Sequence, residues 1–294
     1  MTPVAELAAD EGVSVIIPAL DEERGLAATL AALTEITGRL GRPCELIVVD
    51  DGSRDGTGEV AAAAGARVVR HPANGGYGRS LKSGLAAARH ELIAITDADG
   101  TYPLEELPRL VELAERFDMV VGARTGPRYR RSVLSSPFRT AFLVLASFVT
   151  GTFIPDPNSG FRVFRRSLVL PIIDRLPNGF SFTTTTTVVM MLDGRFVHFH
   201  PVAYGHRIGR SKVRLVRDAL RAGQGLIEVI LQYNPLKLFM VVALAPLGVG
   251  LACALSPLGL SGRVLGGALG VLLAILILAL GMLAVVISPP RRPR

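Results

Sequence analysis

Leu92-Ile93-Ala94-Ile95-Thr96-Asp97-Ala98-Asp99-Gly100 joins a short apolar run to two carboxylates one residue apart. The run reads as a buried strand. Residues i and i+2 of a strand point the same way, so Asp97 and Asp99 at its frayed end can close on one divalent cation. Hard carboxylate oxygens suit Mg2+ or Mn2+, and such ions are usually shared with substrate phosphates. The same pair also ends many strands in solvated turns, so its weight depends on what surrounds it.

Working outward, strands and helices alternate. Val13 to Ile17 and Leu46 to Val49 are apolar, β-branched runs that read as buried strands. Arg67 to Arg70 reads as a short third strand and Met119 to Gly122 as a fifth. Helices are expected over Glu22 to Leu40, Thr57 to Ala64 and Gly78 to Arg89. Another starts near Pro103, a residue suited to a first helical turn, and runs to about Arg116. This rhythm predicts an α/β fold: a parallel sheet with helices on both faces. Ligands of such sheets sit beyond the carboxyl ends of the strands. Asp21 and Glu22, Asp50 and Asp51, Asp97 and Asp99, and Arg124 all fall there. The acidic turn Asp50-Asp51 is either an Asx turn or a set of acceptors for a nucleobase or ribose hydroxyl. Asn74-Gly75-Gly76-Tyr77-Gly78 opens a helix whose N-terminus can face a phosphate. The chain has neither a P-loop nor a G-x-G-x-x-G after a strand.

The second half changes character. Leu134, Phe138, Phe142, Leu145 and Val149 recur at helical spacing within Val133 to Phe153, with Arg128, Arg130, Arg131 and Arg139 at the start. That is the composition of an interfacial helix on anionic lipid, or of a core helix. Phe161 to Phe164 and Arg195 to Tyr204 read as strands. Phe180 to Met191, with five consecutive threonines, reads as a loop entering a helix. Lys212 to Tyr233 reads as an amphipathic membrane-surface helix. Its stripe is Val213, Val216, Leu220, Ile227 and Ile230, while Arg210, Arg214, Arg217 and Arg221 lie on another face.

Leu238 to Ser256 and Val264 to Ile287 are apolar or small throughout apart from Ser ends, and mean hydropathy is +0.41. A helix needs about 20 such residues to cross a bilayer. Lys237 and the basic segment before it, with the tail Pro289-Pro290-Arg291-Arg292-Pro293-Arg294, place both flanks in the cytoplasm. The expected organisation is a cytoplasmic domain over 1–212 and an amphipathic helix over 213–234. Two transmembrane helices within 235–288 and a basic tail over 289–294 follow. The acidic start, Met1 to Gly12, lacks the apolar core of a secretory signal. A multi-pass protein of the inner (plasma) membrane is therefore expected. Cys44 and Cys253 make neither a disulfide framework nor a metal motif. His198 and His200 share a strand face but lack a third metal ligand at sensible spacing. The net charge of +7, without Trp, suits an anionic membrane rather than nucleic acid.

Pro18-Ala19-Leu20-Asp21-Glu22, Val48-Val49-Asp50-Asp51-Gly52-Ser53, Asn74 to Gly78 and Asp97-Ala98-Asp99 together resemble family 2 glycosyltransferases of the Rossmann-like A fold. Asp156-Pro157-Asn158-Ser159-Gly160-Phe161-Arg162 is similar to the D-x-x-S-G-F-R signature of the polyprenyl-phosphate subgroup. Arg207 to Lys212 is similar to its R-x-x-G-x-S-K segment. The resemblance covers about Val13 to Tyr233, and some members of the subgroup end in two membrane helices.

The resemblance implies a division of labour. Pro18, Leu20, Glu22, Asp50, Asp51, Gly76 and Ala98 would hold the nucleotide, and Asp97 and Asp99 the Mg2+ or Mn2+ on its diphosphate. Arg124, Arg162, Arg207 and Lys212 would collect phosphates, as the planar guanidinium fork does well. The implied reaction is inverting transfer of a hexose-type sugar from a GDP- or UDP-sugar to undecaprenyl or dolichyl phosphate. A lipid monophosphate is already an anion near pH 7, with a second pKa of about 6, and needs no base. In keeping with that, no Asp or Glu lies between Asp174 and Asp193. Three departures stand out. Thr183 to Thr187 replace an acidic residue of many members. The Arg207-Ile208-Gly209 spacing is one residue short, so His206, Arg207 and Arg210 compete for one slot. Thr101 stands where a further metal ligand is often found. A transferase acting on a hydroxyl is a rival reading, although the processive Q-x-x-R-W motif is missing. A non-catalytic nucleotide-sugar-binding membrane scaffold is another. The oligomeric state, a homo-oligomer included, stays open.

Overall fold

The structure is a computed structural model. It describes residues 12–126, 129, 137–205, 215–257 and 259–287. The expectations on Arg128, Arg130, Arg131, Leu134, His206, Arg207, Arg210, Lys212, Val213, Arg214 and the tail from Pro289 lie outside the described residues. So do those on the side chains of Phe138, Arg139, Val216, Arg217, Leu220 and Arg221.

The described residues fall into two compact units, up to Ala222 and from Gly223 onward. The first opens with β1 (Val13–Ala19), α1 (Glu23–Gly38), β2 (Cys44–Asp50), α2 (Thr57–Ala63) and β3 (Arg67–Arg70). It continues through α3 (Tyr77–Ala87), β4 (Leu92–Ile95), a 3-10 turn (Leu104–Glu106), α4 (Leu107–Leu113) and β5 (Met119–Thr125). Then come α5 (Pro137–Thr150), β6 (Arg162–Arg165), α6 (Arg166–Val169), α7 (Phe182–Leu192) and β7 (Val197–Ala203).

The strands form one sheet in the order β3-β2-β1-β4-β6-β5-β7. Successive strand residues face opposite sides, and β1 shows what covers each. Val13, Val15 and Ile17 join a core with Leu26, Leu30 and Leu33 of α1 and Leu110 of α4. Ile16 points the other way, and its Cγ2 lies 2.4 Å from where a Cβ on Gly84 of α3 would be. Only glycine lets α3 come this close.

The expected parallel sheet needs one correction. β6 runs antiparallel to both β4 and β5, with Arg162 opposite Ile95 and Val121. The long excursion after β5 returns to the carboxyl edge of the sheet and enters β6 from there. The segment Asp156 to Gly160 is thus delivered to the edge where β4 and β5 end. A second correction concerns the threonines. Thr183 to Thr187 are not a loop but the first turns of α7, all buried. Thr186 donates to the Phe182 carbonyl (2.7 Å) and Thr187 to that of Thr183 (2.9 Å), which satisfies those hydroxyls inside the helix.

Helix α5 buries Ala146 and Val149 yet exposes Val144 and Phe148, and Phe153 beyond it is 79 % exposed. It therefore has an apolar face on both sides, one inward as in a core helix and one open as in an interfacial helix.

Helix α8 (Leu215–Tyr233) leads into α9 (Pro235–Leu255) and α10 (Leu260–Ile287), with Asn234 capping α9 through the Lys237 N–H (3.3 Å). Both α9 and α10 are long and apolar enough to cross a membrane. They pack at Gly250 and Gly270, where a Cβ on Gly270 would lie 2.6 Å from Gly250 Cα. Small residues at such a seam let helix backbones approach closely.

Candidate active site

The carboxyl edge of β1 and β2 is knitted by backbone donors. Asp51 N–H donates to the Ala19 carbonyl (2.9 Å), and Asp21 N–H to Ser53 Oγ (2.9 Å). Arg54 N–H donates to Asp21 Oδ1 (2.7 Å). Asp21 has φ 47°, a left-handed conformation that short polar side chains tolerate best. Pro18 is buried, Leu20 and Glu22 are half-buried, and Glu22 N–H donates to Thr57 Oγ1 (2.9 Å). Asp50 Oδ1 accepts the Ser53 N–H (2.9 Å), so the Asx turn is real, while its other oxygen lies 3.9 Å from Arg70 Nε.

Asp51, expected beside the nucleotide, is put to another use. It is 4 % exposed. Its Oδ1 accepts the Gly75 N–H (2.9 Å) and lies 2.6 Å from His71 Nδ1; its Oδ2 accepts the Gly76 N–H (2.8 Å). An ionised carboxylate only accepts, so His71 donates from Nδ1, and its Nε2 pairs with the Ser83 hydroxyl (2.9 Å). Asp51 is the brace of the glycine loop. Asp51→Asn turns an amide NH2 toward a donor, and is expected to lower stability by about 1–3 kcal/mol in urea unfolding. An unchanged midpoint and slope would remove the brace role.

The braced loop is tightly confined. Gly76 has φ 100°, and a Cβ there would meet the Asn178 carbonyl at 2.6 Å. Arg79 N–H donates to the same carbonyl (3.1 Å). The loop presents Tyr77, whose hydroxyl donates to Asp97 Oδ1 (3.0 Å) and whose ring stacks on Phe180 at 5.5 Å. Burial, and then the Asp97 charge, push the phenol well above its ordinary pKa and keep it a donor.

Ala98, between the two carboxylates, is buried, and its carbonyl accepts the Thr29 hydroxyl (3.1 Å). Asp99 Oδ1 accepts both the N–H (3.1 Å) and the hydroxyl (2.6 Å) of Thr101. Thr101 thus orients Asp99.

The Asp156 to Arg162 segment completes the edge. Arg124 grips Asp156 with both Nε (2.7 Å) and Nη2 (2.9 Å), and lies over the rings of Tyr129 and Tyr204. Ser159 hooks the Gly122 carbonyl (2.6 Å), and Gly160 N–H donates to the Tyr102 hydroxyl (2.8 Å). A Cβ on Gly160 would lie 2.8 Å from both Asp97 Oδ1 and Tyr77 Oη. Glycine alone leaves that carboxylate room.

Arg162 is the main departure from expectation. It was expected to collect phosphate, but it is 0 % exposed. Its guanidinium donates to the carbonyls of Ser159 (3.0 Å), Pro157 (3.2 Å) and Thr183 (2.9 Å) and to Thr187 Oγ1 (3.1 Å). Burial lowers its pKa to about 10, so it remains a cation at neutral pH. In this structure it is an interior strut tying the Asp156 segment to α7. Thr183 and Thr187 of α7 supply part of its partner set.

One cluster therefore gathers Asp97, Tyr77, Gly160, Tyr102, Asp156 and Arg124; a second gathers Asp21, Asp50 and Ser53; Asp51 and the glycine loop link them. Tyr77, Tyr102 and His71 carried no signal of their own in the sequence, since a lone aromatic or histidine reads as core. Among the described residues no three His, Cys, Asp or Glu converge as a self-sufficient metal centre. The donor set fits a hard cation that takes its remaining oxygens from a ligand's phosphates.

An α/β sheet with acidic residues at its carboxyl edge, a D-x-D pair and an antiparallel β6 beside it are the features of the glycosyltransferase A fold. The chain belongs to glycosyl transferase family 2, whose model matches residues 14–170. It is 31 % identical over 229 residues to the dolichyl-phosphate hexose transferase of Haloferax volcanii, covering 76 % of this chain and 95 % of that protein. It is 36 % identical over 167 residues to the undecaprenyl-phosphate 4-deoxy-4-formamido-L-arabinose transferase of Aeromonas hydrophila. That match covers 53 % of this chain and 50 % of the relative, so the chain spans about half of that protein's length. Both relatives are polyprenyl-phosphate glycosyltransferases. Among solved structures, glucosyl-3-phosphoglycerate synthase from Mycobacterium tuberculosis, in complex with Mn2+, UDP and glucosyl-3-phosphoglycerate, is similar in fold. Its TM-score is 0.61 and its identity 24 %, over 75 % of this chain and 80 % of that one.

Proposed function

We propose that this glycosyltransferase moves a hexose-type sugar, with inversion, from a GDP- or UDP-sugar to undecaprenyl or dolichyl phosphate at the cytoplasmic face of the plasma membrane. The observation that carries the reading is the antiparallel entry of β6, which brings Gly160 against Asp97 and, through Asp156, ties the same segment to Arg124. Pro18, Leu20, Glu22 and Asp50 line the nucleotide side. Asp97 and Asp99 would hold Mg2+ or Mn2+, which as a Lewis acid stabilises the charge growing on the departing diphosphate. A lipid phosphate oxygen attacks the anomeric carbon, and the bond from that carbon to the nucleoside diphosphate oxygen breaks. The attacking phosphate is already anionic. Helix α7 offers only buried Thr183 to Thr187 where a base would stand, so the protein supplies positioning and cationic groups. Arg207 and Lys212 belong to this reading as phosphate-binding cations. Val144, Phe148 and Phe153 form an exposed apolar face suited to lipid. The two relatives named for polyprenyl phosphates support the acceptor class, and the Mn2+ and UDP of the structural neighbour support the donor and the metal.

The test is a screen of purified protein with GDP- and UDP-sugars against undecaprenyl and dolichyl phosphate. One donor is expected to yield lipid-linked sugar only with Mg2+ or Mn2+, and a chelator should abolish it. Product formed with a glycolipid hydroxyl or a soluble phosphate such as phosphoglycerate, and none with polyprenyl phosphate, would overturn the acceptor assignment.

A further inference from the structure

We propose that Tyr77 is a positioning residue for the metal-diphosphate end of the donor: its hydroxyl sets the orientation of Asp97, and Phe180 stacked on its ring holds the hydroxyl there. This rests on the reading of Asp97 as a carboxylate that meets the cation and diphosphate.

Five observations converge on Tyr77. Its hydroxyl donates to Asp97 Oδ1 at 3.0 Å. Its ring lies against Phe180 with centroids 5.5 Å apart and planes 23° from parallel. Its backbone is the first residue of α3, directly after Gly76, whose N–H is gripped by Asp51 (2.8 Å). On the far side, Gly160 comes so close that a Cβ would meet both partners of the hydrogen bond at 2.8 Å. The neighbouring loop closes the cage, since a Cβ on Gly78 would strike the Pro177 carbonyl at 2.3 Å.

A residue needed only for packing would be as well served by phenylalanine, whose ring fills the same space. The hydroxyl is specific to the carboxylate. A group that contacts a cation must be held within about 0.5 Å of its working position, and that precision comes from the side chains behind it. Groups hydrogen-bonded behind a metal-binding carboxylate typically change metal affinity by about 10–100-fold when removed. The arrangement also joins the two halves of the site, because Asp51 fixes the loop that places Tyr77 on Asp97. The nucleotide edge and the D-x-D edge are thereby held in register.

Tyr77→Phe removes the oxygen and keeps the ring. Mn2+ binding in the presence of UDP or GDP, followed by electron paramagnetic resonance, is expected to weaken about 10-fold in this variant. The KM for the metal-sugar-nucleotide should rise more than kcat falls, with the metal-free melting temperature unchanged. Phe180→Leu, which frees the phenol but keeps its hydroxyl, should weaken Mn2+ binding in the same direction by a smaller factor. Wild-type affinity in Tyr77→Phe, or a fall in metal-free melting temperature with unaltered Mn2+ binding, overturns the inference while leaving the metal reading intact. Failure of the wild type to bind Mn2+ with either nucleotide overturns the reading of Asp97 and the inference together.

Discussion

Asp99→Asn is expected to lower kcat/KM by about 1,000-fold or more at saturating Mn2+. Asp99 is 3 % exposed, and one of its oxygens takes both the N–H and the hydroxyl of Thr101. An asparagine carbonyl can accept the same two bonds in the same place. The substitution therefore keeps both bonds to Thr101 and removes the negative charge that the proposed metal would need. A cation on the leaving diphosphate supplies several kcal/mol of transition-state stabilisation, and about 4 kcal/mol corresponds to about 1,000-fold. Steady-state kinetics with the donor identified by the screen, beside a melting curve that matches the wild type, would check it. Turnover within tenfold of wild type would mean that the D-x-D pair is a strand-ending turn without a metal role.

Arg162→Lys is expected to destabilise the protein by about 3–5 kcal/mol, because at least two buried acceptors lose their donor. The guanidinium reaches three separate carbonyls and one hydroxyl at once through a planar fork. A lysine ammonium carries its donors on a single nitrogen and cannot span them. Each carbonyl left without a donor in the interior costs about 1–3 kcal/mol. At about 2–4 °C per kcal/mol for a domain of this size, the melting temperature should fall by roughly 10 °C. The outcome separates two roles for one residue. A variant that melts like the wild type but has lost phosphate binding would place Arg162 in the substrate site and refute the interior strut.

Much of this was legible from local pattern. The runs Val13 to Ile17, Leu46 to Val49 and Leu92 to Ile95 are apolar apart from Ser14 because both faces of their strands are covered, and burial is written directly into composition. The acidic residues after them follow from the same rule, since loops at the carboxyl edge are where such sheets meet ligands. The apolar lengths of α9 and α10 were equally plain. The threonine run misled because β-branched polar residues favour strands and turns when judged alone. They become helical in α7 because their hydroxyls bond back to helix carbonyls and one of them meets Arg162.

Apart from the threonine turns of α7, the sequence by itself determined where the main strands, helices and membrane-length segments lie, and which carboxylates crowd one edge of the sheet. The periodicities of burial are local and survive without knowledge of the fold. Tertiary structure alone decided that β6 is antiparallel, that Asp51 faces its own glycine loop, that the Tyr77 hydroxyl bonds Asp97 and that Arg162 is interior. Each of these depends on a partner far along the chain: Gly75 for Asp51, Asp97 for Tyr77, Thr183 for Arg162. A charged or hydroxyl group looks the same in sequence whether its hydrogen bonds go to ligand or to protein. Only packing, which settles the donors and acceptors within about 3 Å of it, assigns the difference.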